Sequence, residues 1–262
     1  MSGTDGKVIV IQERDRVLLR ELAVLRVADR EQLKIAAGFT STTRANARLL
    51  ALVRERFLRR FFRGTAAGGR AALYMLSPRG AAYVQVPERG LRRSSREMLA
   101  TDFFVEHQLI VNRLYCSLKF KPIPVPGVSF AEWKTFERPI SQELGLIPDG
   151  YVELSTPTRP LAAFFEADRG HESKRIWNDK ANRYLQLALS GEYQRRFGKS
   201  QFRVLVIAHS EGRLRSIRSV IAPLTEKLFW FTSLPDIHTH GFFGPVWLRP
   251  RSDVKEGFVP TP

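Results

Sequence analysis

The sequence predicts a two-domain α+β and α/β chain, with a small helical unit closed by a basic hairpin and then a larger mixed sheet flanked by helices. Two observations lead to this fold class. Residues 1–97 combine helical hydrophobic spacing with 20 Lys and Arg against 9 Asp and Glu, whereas the later sequence consists largely of short apolar runs separated by turns. A length of 262 residues with 44% hydrophobic residues is enough for two ordinary cores. We place the domains at residues 1–94 and 95–250, followed by a C-terminal tail over residues 251–262.

Three helices are predicted in the first domain. The first covers Glu13–Val27, where leucines and valines recur at helical spacing. Asp29 has the features of an N-cap for a second helix, which Gly38 ends. Ser41 or Thr40 then caps a third helix that has one apolar face and one polar face. This arrangement is typical of a helix-turn-helix.

A basic hairpin follows the three helices. Phe57–Arg63 and Arg70–Leu76 read as strands around a glycine-rich tip. The combination predicts a winged helix, in which the third helix enters the major groove of double-stranded DNA and the hairpin follows the phosphate backbone. The residues expected to contact DNA are Thr43, Arg44, Asn46 and Arg48 of the third helix and Arg60, Arg63 and Arg70 of the hairpin. A winged helix used for dimerisation or another protein contact is the alternative.

The overall charge agrees with a nucleic-acid partner. A formal net charge of +16 favours phosphate over a neutral small ligand, with a solvated basic surface as the plainer interpretation. No apolar run reaches the length of about 18 residues that a membrane helix requires, and no signal sequence is recognisable. We therefore expect a cytoplasmic protein with no membrane partner. Many winged-helix proteins act as dimers, so the oligomeric state stays open between monomer and homodimer.

The second domain is predicted to open with a long helix over Ser95–Leu118. Strands and further helices follow in alternation, as expected for a sheet covered by helices. The predicted strands lie near Ser129–Glu137, Ile147–Leu154, Leu161–Asp168, Phe202–Ala208 and Leu228–Thr232, and the predicted helices lie at about 172–190 and 213–226.

Acidic residues stand at the rims of two of these apolar strands. Asp149 lies in Pro148-Asp149-Gly150, and Glu166 and Asp168 end the next strand. A buried acid needs a reason to be there, and Mg²⁺ prefers one or two carboxylates together with water and phosphate. Lys180 interrupts an otherwise apolar helical stripe that faces the sheet. The plainer alternatives are an ordinary Pro-Asp-Gly turn and a salt-bridged strand end.

Pro148-Asp149 and Glu166 resemble the motif of the restriction-endonuclease-like PD-(D/E)xK superfamily. The resemblance implies a nuclease-like mixed sheet, in which Asp149 and Glu166 hold Mg²⁺ or Mn²⁺. That superfamily usually has Lys two residues after the Glu, whereas this chain has Asp168. Lys180 is expected to replace the motif lysine, and Asp168 to add a metal ligand, so that Asp149, Glu166, Asp168 and Lys180 form the catalytic set.

Most of the chain resembles the replication-relaxation family of plasmid and mobile-element proteins, which is related to the MobC-type relaxases. The resemblance rests on the order of the helical entry, Leu76-Ser77-Pro78-Arg79-Gly80, Pro148-Asp149-Gly150, Glu166-Ala167-Asp168-Arg169-Gly170, and Lys180 with Tyr184. It implies recognition of double-stranded DNA at a replication or transfer origin, together with other replication or mobilisation proteins. In relaxase members it also implies nicking of one strand.

Two other functions stay open at this point. A non-catalytic replication accessory factor or repressor with a degenerate nuclease fold would explain Asp168 in place of lysine. Convergence of Asp149, Glu166 and Lys180 would favour the enzyme instead. An RNA-processing nuclease ranks last, because the aromatic-rich sheet of a base-stacking module is missing. We reject a histidine-metal relaxase site at His238-Thr239-His240, since its middle residue is polar and no third histidine is nearby.

Overall fold

The computed structural model describes residues 9–64, 68–86 and 102–259. The chain divides into two compact units, Met1–Cys116 and Ser117–Pro262. The domain boundary predicted between residues 94 and 95 lies outside the described residues.

The second and third helices of the first unit begin at caps that the sequence predicts. They are α1 (Glu13–Leu25), α2 (Arg30–Ala36) and α3 (Thr42–Arg54). The Asp29 carboxylate accepts a hydrogen bond from the backbone of Gln32, whose side chain in turn accepts one from the Asp29 backbone. The Ser41 hydroxyl accepts from the backbone of Arg44 at 3.3 Å. Both caps are confirmed, and each satisfies a backbone donor that the first helical turn leaves open.

A three-stranded antiparallel sheet completes this part of the unit. Its strands are β1 (Ala28–Asp29), β2 (Leu58–Gly64) and β3 (Arg70–Leu76), in the order β1-β3-β2. Strand β1 is absent from the predicted elements, because two residues are too few to show a period. Helix α4 (Pro78–Tyr83) follows β3, and a side chain on its Gly80 would collide with the backbone carbonyl of Phe57.

Helix α5 (Asp102–Lys119) belongs to the first unit up to Cys116, although the sequence assigned it to the second domain. The buried Asn112 side chain donates to the backbone carbonyls of Leu25 at 3.1 Å and Val27 at 2.6 Å. Val105 packs with Val27 against the sheet. These contacts join segments far apart in sequence, so no local pattern reveals them.

A seven-stranded mixed sheet forms the second unit and confirms the predicted mixed α/β architecture. Its order is β10-β9-β8-β7-β6-β5-β4, and β6, β7 and β8 run parallel while the remaining pairs are antiparallel. The strands are β4 (Ser129–Lys134), β5 (Gly150–Ser155), β6 (Leu161–Asp168), β7 (Arg203–Ala208), β8 (Phe229–Ser233), β9 (Trp247–Leu248) and β10 (Lys255–Glu256).

Helices pack against one face of this sheet. They include α6 (Lys174–Leu189), α7 (Glu192–Phe197) and α8 (Glu211–Ile221), and α9 (Leu234–His240) follows β8. The core between sheet and helices joins Phe164 and Phe231 to Tyr184 and Ile217. Helix α8 ends five residues earlier than predicted, because Pro223 disfavours continued helix. Helices α7 and α9 are not among the predicted elements, because both are too short for a clear helical period.

Two residues of the segment left unassigned as a tail, 251–262, are part of the sheet in the structure. Residues 255–256 form β10 beside β9, and Phe258 is buried against Trp247 and Phe242. No helix of the described residues is both long and apolar enough to span a membrane.

Candidate active site

The residue Asp149 is fixed beside the end of β6. Strands β5 and β6 are antiparallel with Gly150 opposite Phe165, so the residue before β5 lies next to the carboxyl end of β6. The Asp149 backbone donates to the Phe165 carbonyl at 3.1 Å, and Asp149 Oδ2 accepts from the Ala167 backbone at 2.7 Å. The Pro-Asp-Gly sequence is therefore anchored to the neighbouring strand rather than forming an isolated turn.

Glu166 on β6 receives two side chains from α6. Glu166 is only 2% exposed, and the Tyr184 hydroxyl donates to its Oε1 at 2.5 Å. Lys180 Nζ donates to Oε2 at 2.9 Å and also contacts both oxygens of Glu172 at 2.9 and 3.0 Å. Lys180 and Tyr184 are one helical turn apart and thus face the same strand end.

The charges at this site influence one another. Burial raises the pKa of Glu166 to about 7, with the positive charge of Lys180 opposing the shift and the negative charge of Asp149 adding to it. Burial lowers the pKa of Lys180, but the charges of Glu166, Glu172 and Asp149 outweigh it and the net shift is upward. Lys180 therefore stays protonated at neutral pH, whereas Glu166 can gain or lose a proton near pH 7.

Asp168 is held by a different set of donors. Arg213 on α8 donates to its two oxygens at 2.6 and 2.9 Å, and Gly170 and Trp177 donate at 2.8 and 3.2 Å. Burial raises the pKa of Asp168, but these hydrogen bonds and the Arg213 charge outweigh it and leave the pKa below its usual range. Gly170 has a φ of 91°, a left-handed conformation that favours glycine and brings its N–H back to Asp168.

The structure therefore brings together three of the four predicted catalytic residues. Asp149, Glu166 and Lys180 interact, while Asp168 forms an ion pair with Arg213. Within residues 9–64, 68–86 and 102–259, no group of three or more His, Cys, Asp or Glu side chains is arranged to hold a metal ion. The expected set of three carboxylate ligands is thus not assembled, because Asp168 is committed to the arginine.

Sequence reasoning missed Glu172 and Arg213. Glu172 lies in the turn before α6, where no periodic pattern marks it, and Arg213 looks like any charged residue on an exposed helix face. Tyr184 was noted for its helical spacing from Lys180, and that spacing was the available signal for its contact with Glu166.

The predicted DNA contacts of the first unit divide into two groups. Thr43, Arg44 and Asn46 are exposed on α3, whereas Arg48 forms an ion pair with the buried Asp15 and donates to the Val10 carbonyl at 2.7 Å. Because the Arg48 guanidinium bridges two segments of its own unit, its position is explained without DNA.

The hairpin arginines divide in the same way. Arg63 forms an ion pair with Glu106 of α5. Arg60 and Arg70 are exposed, and their guanidinium groups lie 4.9 and 5.7 Å from the ring centroid of Phe62, which is 48% exposed. An aromatic ring between two exposed cations leaves this face of the hairpin both basic and apolar.

Fold and site together define an α/β protein with a buried carboxylate–lysine centre at strand ends, preceded by a basic helical unit. The chain belongs to the replication-relaxation family, whose family model matches residues 19–201. Membership in this family indicates a DNA-related role.

Comparison with solved structures gives low similarity. The restriction endonuclease FokI bound to DNA matches with a TM-score of 0.34 and 10% identity, covering 87% of this chain and 44% of FokI. A second structure of the restriction endonuclease FokI matches with a TM-score of 0.32 and 12% identity, covering 87% of this chain and 43% of FokI. The chain thus spans less than half the length of either, and such TM-scores do not establish a common fold. No curated protein matches the sequence.

Proposed function

We propose that the protein binds double-stranded DNA at an origin of plasmid or mobile-element replication or mobilisation and nicks one strand there in a metal-dependent reaction. The observation that carries this proposal is the convergence of Asp149, Glu166 and Lys180 at the end of β6. Two acids and a charged lysine at one buried point suit a reaction on a phosphodiester, where charge must be balanced as a bond breaks.

The donor set fits Mg²⁺ or Mn²⁺. Asp149 and Glu166 would hold the ion, since two carboxylates completed by water and phosphate oxygens are an ordinary Mg²⁺ environment. The Asp149 charge also raises the pKa of Glu166, and a divalent cation between the two would relieve this repulsion. When bound, the ion supplies Lewis-acid polarisation of the phosphate and activation of water. Asp168 is outside this ligand set because of Arg213.

The remaining side chains have separate tasks in this proposal. Lys180 carries the positive charge that would orient the attacking water or balance the phosphate. Tyr184 positions Glu166 through its hydroxyl, and Glu172 positions Lys180 from the opposite side. Neither of these two touches the reacting atoms, so we class them as positioning residues.

DNA binding is assigned to the first unit acting as a winged helix. The exposed residues Thr43, Arg44 and Asn46 on α3 support this assignment, as do Arg60 and Arg70 on the hairpin. Arg48 and Arg63 support the fold of the unit through their ion pairs and are removed from the expected contact set.

A nicking assay tests the proposal. Supercoiled plasmid carrying the intergenic region next to the protein's own gene is incubated with wild type or Asp149→Ala in Mg²⁺, Mn²⁺ or chelator. We expect metal-dependent conversion to open circles by wild type and none by Asp149→Ala. The control Glu226→Gln, at a surface ion pair with Arg251, should nick normally.

The second candidate is a DNA-binding accessory factor or repressor without catalysis. It is favoured by one observation, that both oxygens of Glu166 already accept hydrogen bonds within the protein, from Tyr184 and Lys180. Plasmid that is shifted but left intact by wild type and Asp149→Ala alike, under all metal conditions, would establish this function and reject the nuclease.

A further inference from the structure

Two arginines lie against one buried tryptophan in the second unit, away from the carboxylates. Trp230 on β8 is 2% exposed. The guanidinium carbons of Arg203 and Arg249 lie 4.3 and 4.0 Å from its ring centroid. Attraction to the ring favours each cation singly, but the two cations also repel each other.

The cluster carries a surplus of positive charge. Burial and the positive charges of Arg249 and Arg159 together lower the pKa of Arg203 to about 10. Glu256 acts in the opposite direction, with its Oε2 3.7 Å from Arg249 Nε, a distance longer than a hydrogen bond. The positive charges of Arg249 and Arg159 therefore both act on Arg203, and the Glu256 carboxylate opposes them.

Two donors in this cluster have no acceptor among the described residues. Arg249 Nε and Trp230 Nε1 are both buried without a hydrogen-bond partner. Arg203, in contrast, donates to the Phe258 carbonyl at 2.6 Å. Buried donors are nearly always paired in folded proteins, and unpaired donors beside excess positive charge favour an anion as the missing partner.

We propose that Arg159, Arg203 and Arg249 bind one phosphate group of the DNA backbone. A planar guanidinium presents paired donors that match phosphate oxygens. Adjacent arginines therefore bind a phosphate group better than they bind a single carboxylate. The inference deepens the proposed function and rests on its DNA partner, which also agrees with a net charge of +16.

The phosphate site is separate from the carboxylate centre. Arg203 pairs with Ala163 across β6 and β7, whereas Glu166 pairs with Val206, three residues farther along. That separation is about 10 Å along the strands, and the odd difference in position places the two side chains on opposite faces of the sheet. The site therefore adds affinity for DNA and takes no part in the cleavage step.

Salt dependence of DNA binding by the full chain tests this site. Fluorescence anisotropy with a duplex of unrelated sequence gives the slope of log affinity against log salt for wild type and Arg249→Gln. Loss of one phosphate contact should reduce the slope by about 0.9 and weaken binding roughly fivefold to tenfold at 0.1 M salt. Arg196→Gln, which removes a surface charge paired with Glu192, is the matched control and should leave the slope unchanged.

Two further variants sharpen the test. Because the arginines share one phosphate, Arg159→Gln combined with Arg249→Gln should lose no more slope than Arg249→Gln alone. Glu256→Gln removes the carboxylate that competes for Arg249 and should strengthen binding severalfold, whereas Glu226→Gln makes the same charge change elsewhere and should not. A destabilised or misfolded variant does not bind more tightly, so the Glu256→Gln result separates binding from folding.

The outcomes distinguish this inference from the nuclease proposal. The salt slope of DNA binding by Arg249→Gln tests the phosphate site, and the nicking assay on wild type tests the nuclease, so each proposal can fail without the other. A reduced slope with no nicking by wild type would support the phosphate site and reject the nuclease. Equal salt slopes for Arg249→Gln and Arg196→Gln would overturn the proposal that this site binds a DNA phosphate. That conclusion would hold even if inorganic phosphate at matched ionic strength raised the melting temperature of wild type and not of Arg249→Gln, because the anion bound at the site would then be free phosphate.

Discussion

The ion pair between Asp168 and Arg213 gives the sharpest prediction, because sequence reasoning assigned Asp168 to a metal. The Asp168 side chain is fully buried, and Arg213 supplies two of the hydrogen bonds to it. Arg213→Met removes the opposite charge but keeps much of the side-chain volume. Gly170 and Trp177 continue to donate, so the carboxylate keeps part of its stabilisation.

The loss should be about 4 kcal/mol. Each charge-assisted hydrogen bond contributes about 1.5 to 3 kcal/mol, and stranding one partner of a buried ion pair costs about 3 to 5 kcal/mol. The second variant, Arg213→Met with Asp168→Asn, removes the unpaired charge and should recover at least half of the loss. A double-mutant cycle then gives the coupling between the two side chains.

The pH dependence of this loss has a definite sign. The pKa of Asp168 is lowered in the folded protein, so its ion pair contributes stability above the ordinary pKa of about 3.9, and this contribution is lost as pH falls through the folded value. Without Arg213, burial raises the pKa and protonation relieves the unpaired charge. The gap in stability between wild type and Arg213→Met should therefore narrow from pH 7 to pH 5.

Urea unfolding followed by tryptophan fluorescence measures the free energy of unfolding of the second structural unit, which contains Asp168 and Arg213. The four tryptophans of the chain, Trp133, Trp177, Trp230 and Trp247, all lie within Ser117–Pro262, so the signal reports that unit alone. A free energy of unfolding for Arg213→Met within about 0.5 kcal/mol of wild type would refute the ion-pair argument, since surface changes have effects of that size. Asp168 would then return to consideration as a metal ligand.

Three further predictions concern the candidate site and the first unit. The pKa of Glu166 is about 7, and a metal ion competes with its proton. The Mg²⁺ concentration for half-maximal nicking should therefore rise about tenfold per pH unit below pH 7 and level off above it. Metal titrations at several pH values measure this, and a flat profile from pH 5 to 8 would contradict it. Tyr184→Phe removes a hydrogen bond that favours the charged Glu166 carboxylate, so the midpoint of that pH profile should move to higher pH. The same change should lower the free energy of unfolding by about 1 to 3 kcal/mol. An unchanged midpoint would exclude Tyr184 as a positioning residue. Arg48→Ala should destabilise the first unit by about 3 kcal/mol, because it leaves the buried Asp15 without its partner, whereas Arg44→Ala should leave stability unchanged and reduce the salt slope of DNA binding by about 1. Hydrogen exchange of peptides from this unit measures the stability, and fluorescence anisotropy measures the salt slope. The reverse pattern would return Arg48 to the DNA interface.

Much of the local structure was predictable from short-range patterns. The Asp29 and Ser41 caps lie within three residues of their partners, and β6 has the predicted bounds Leu161–Asp168. Caps and strand periods depend on neighbours in the sequence, so local reasoning captures them. Helix α5 was predicted to belong to the second domain, because its contacts in the first unit, such as Val27, lie more than 80 residues away in the sequence.

The sequence by itself singled out three residues that the structure brings together at the candidate site. The acids at the rims of apolar strands singled out Asp149 and Glu166, and a break in an apolar helical stripe singled out Lys180. These signals are legible because burying a charge is costly, so a charge within a hydrophobic pattern stands out.

Only the tertiary structure decided which charges are paired within the protein and which stay available. Asp168 meets Arg213 across 45 positions and Arg48 meets Asp15 across 33. Nothing in the sequence distinguishes Arg48 from the exposed Arg44, which lies one turn earlier on the same helix. Pairing depends on side-chain separations of a few ångströms in a medium of low dielectric constant, and those separations are set by the packing of helices on the sheet.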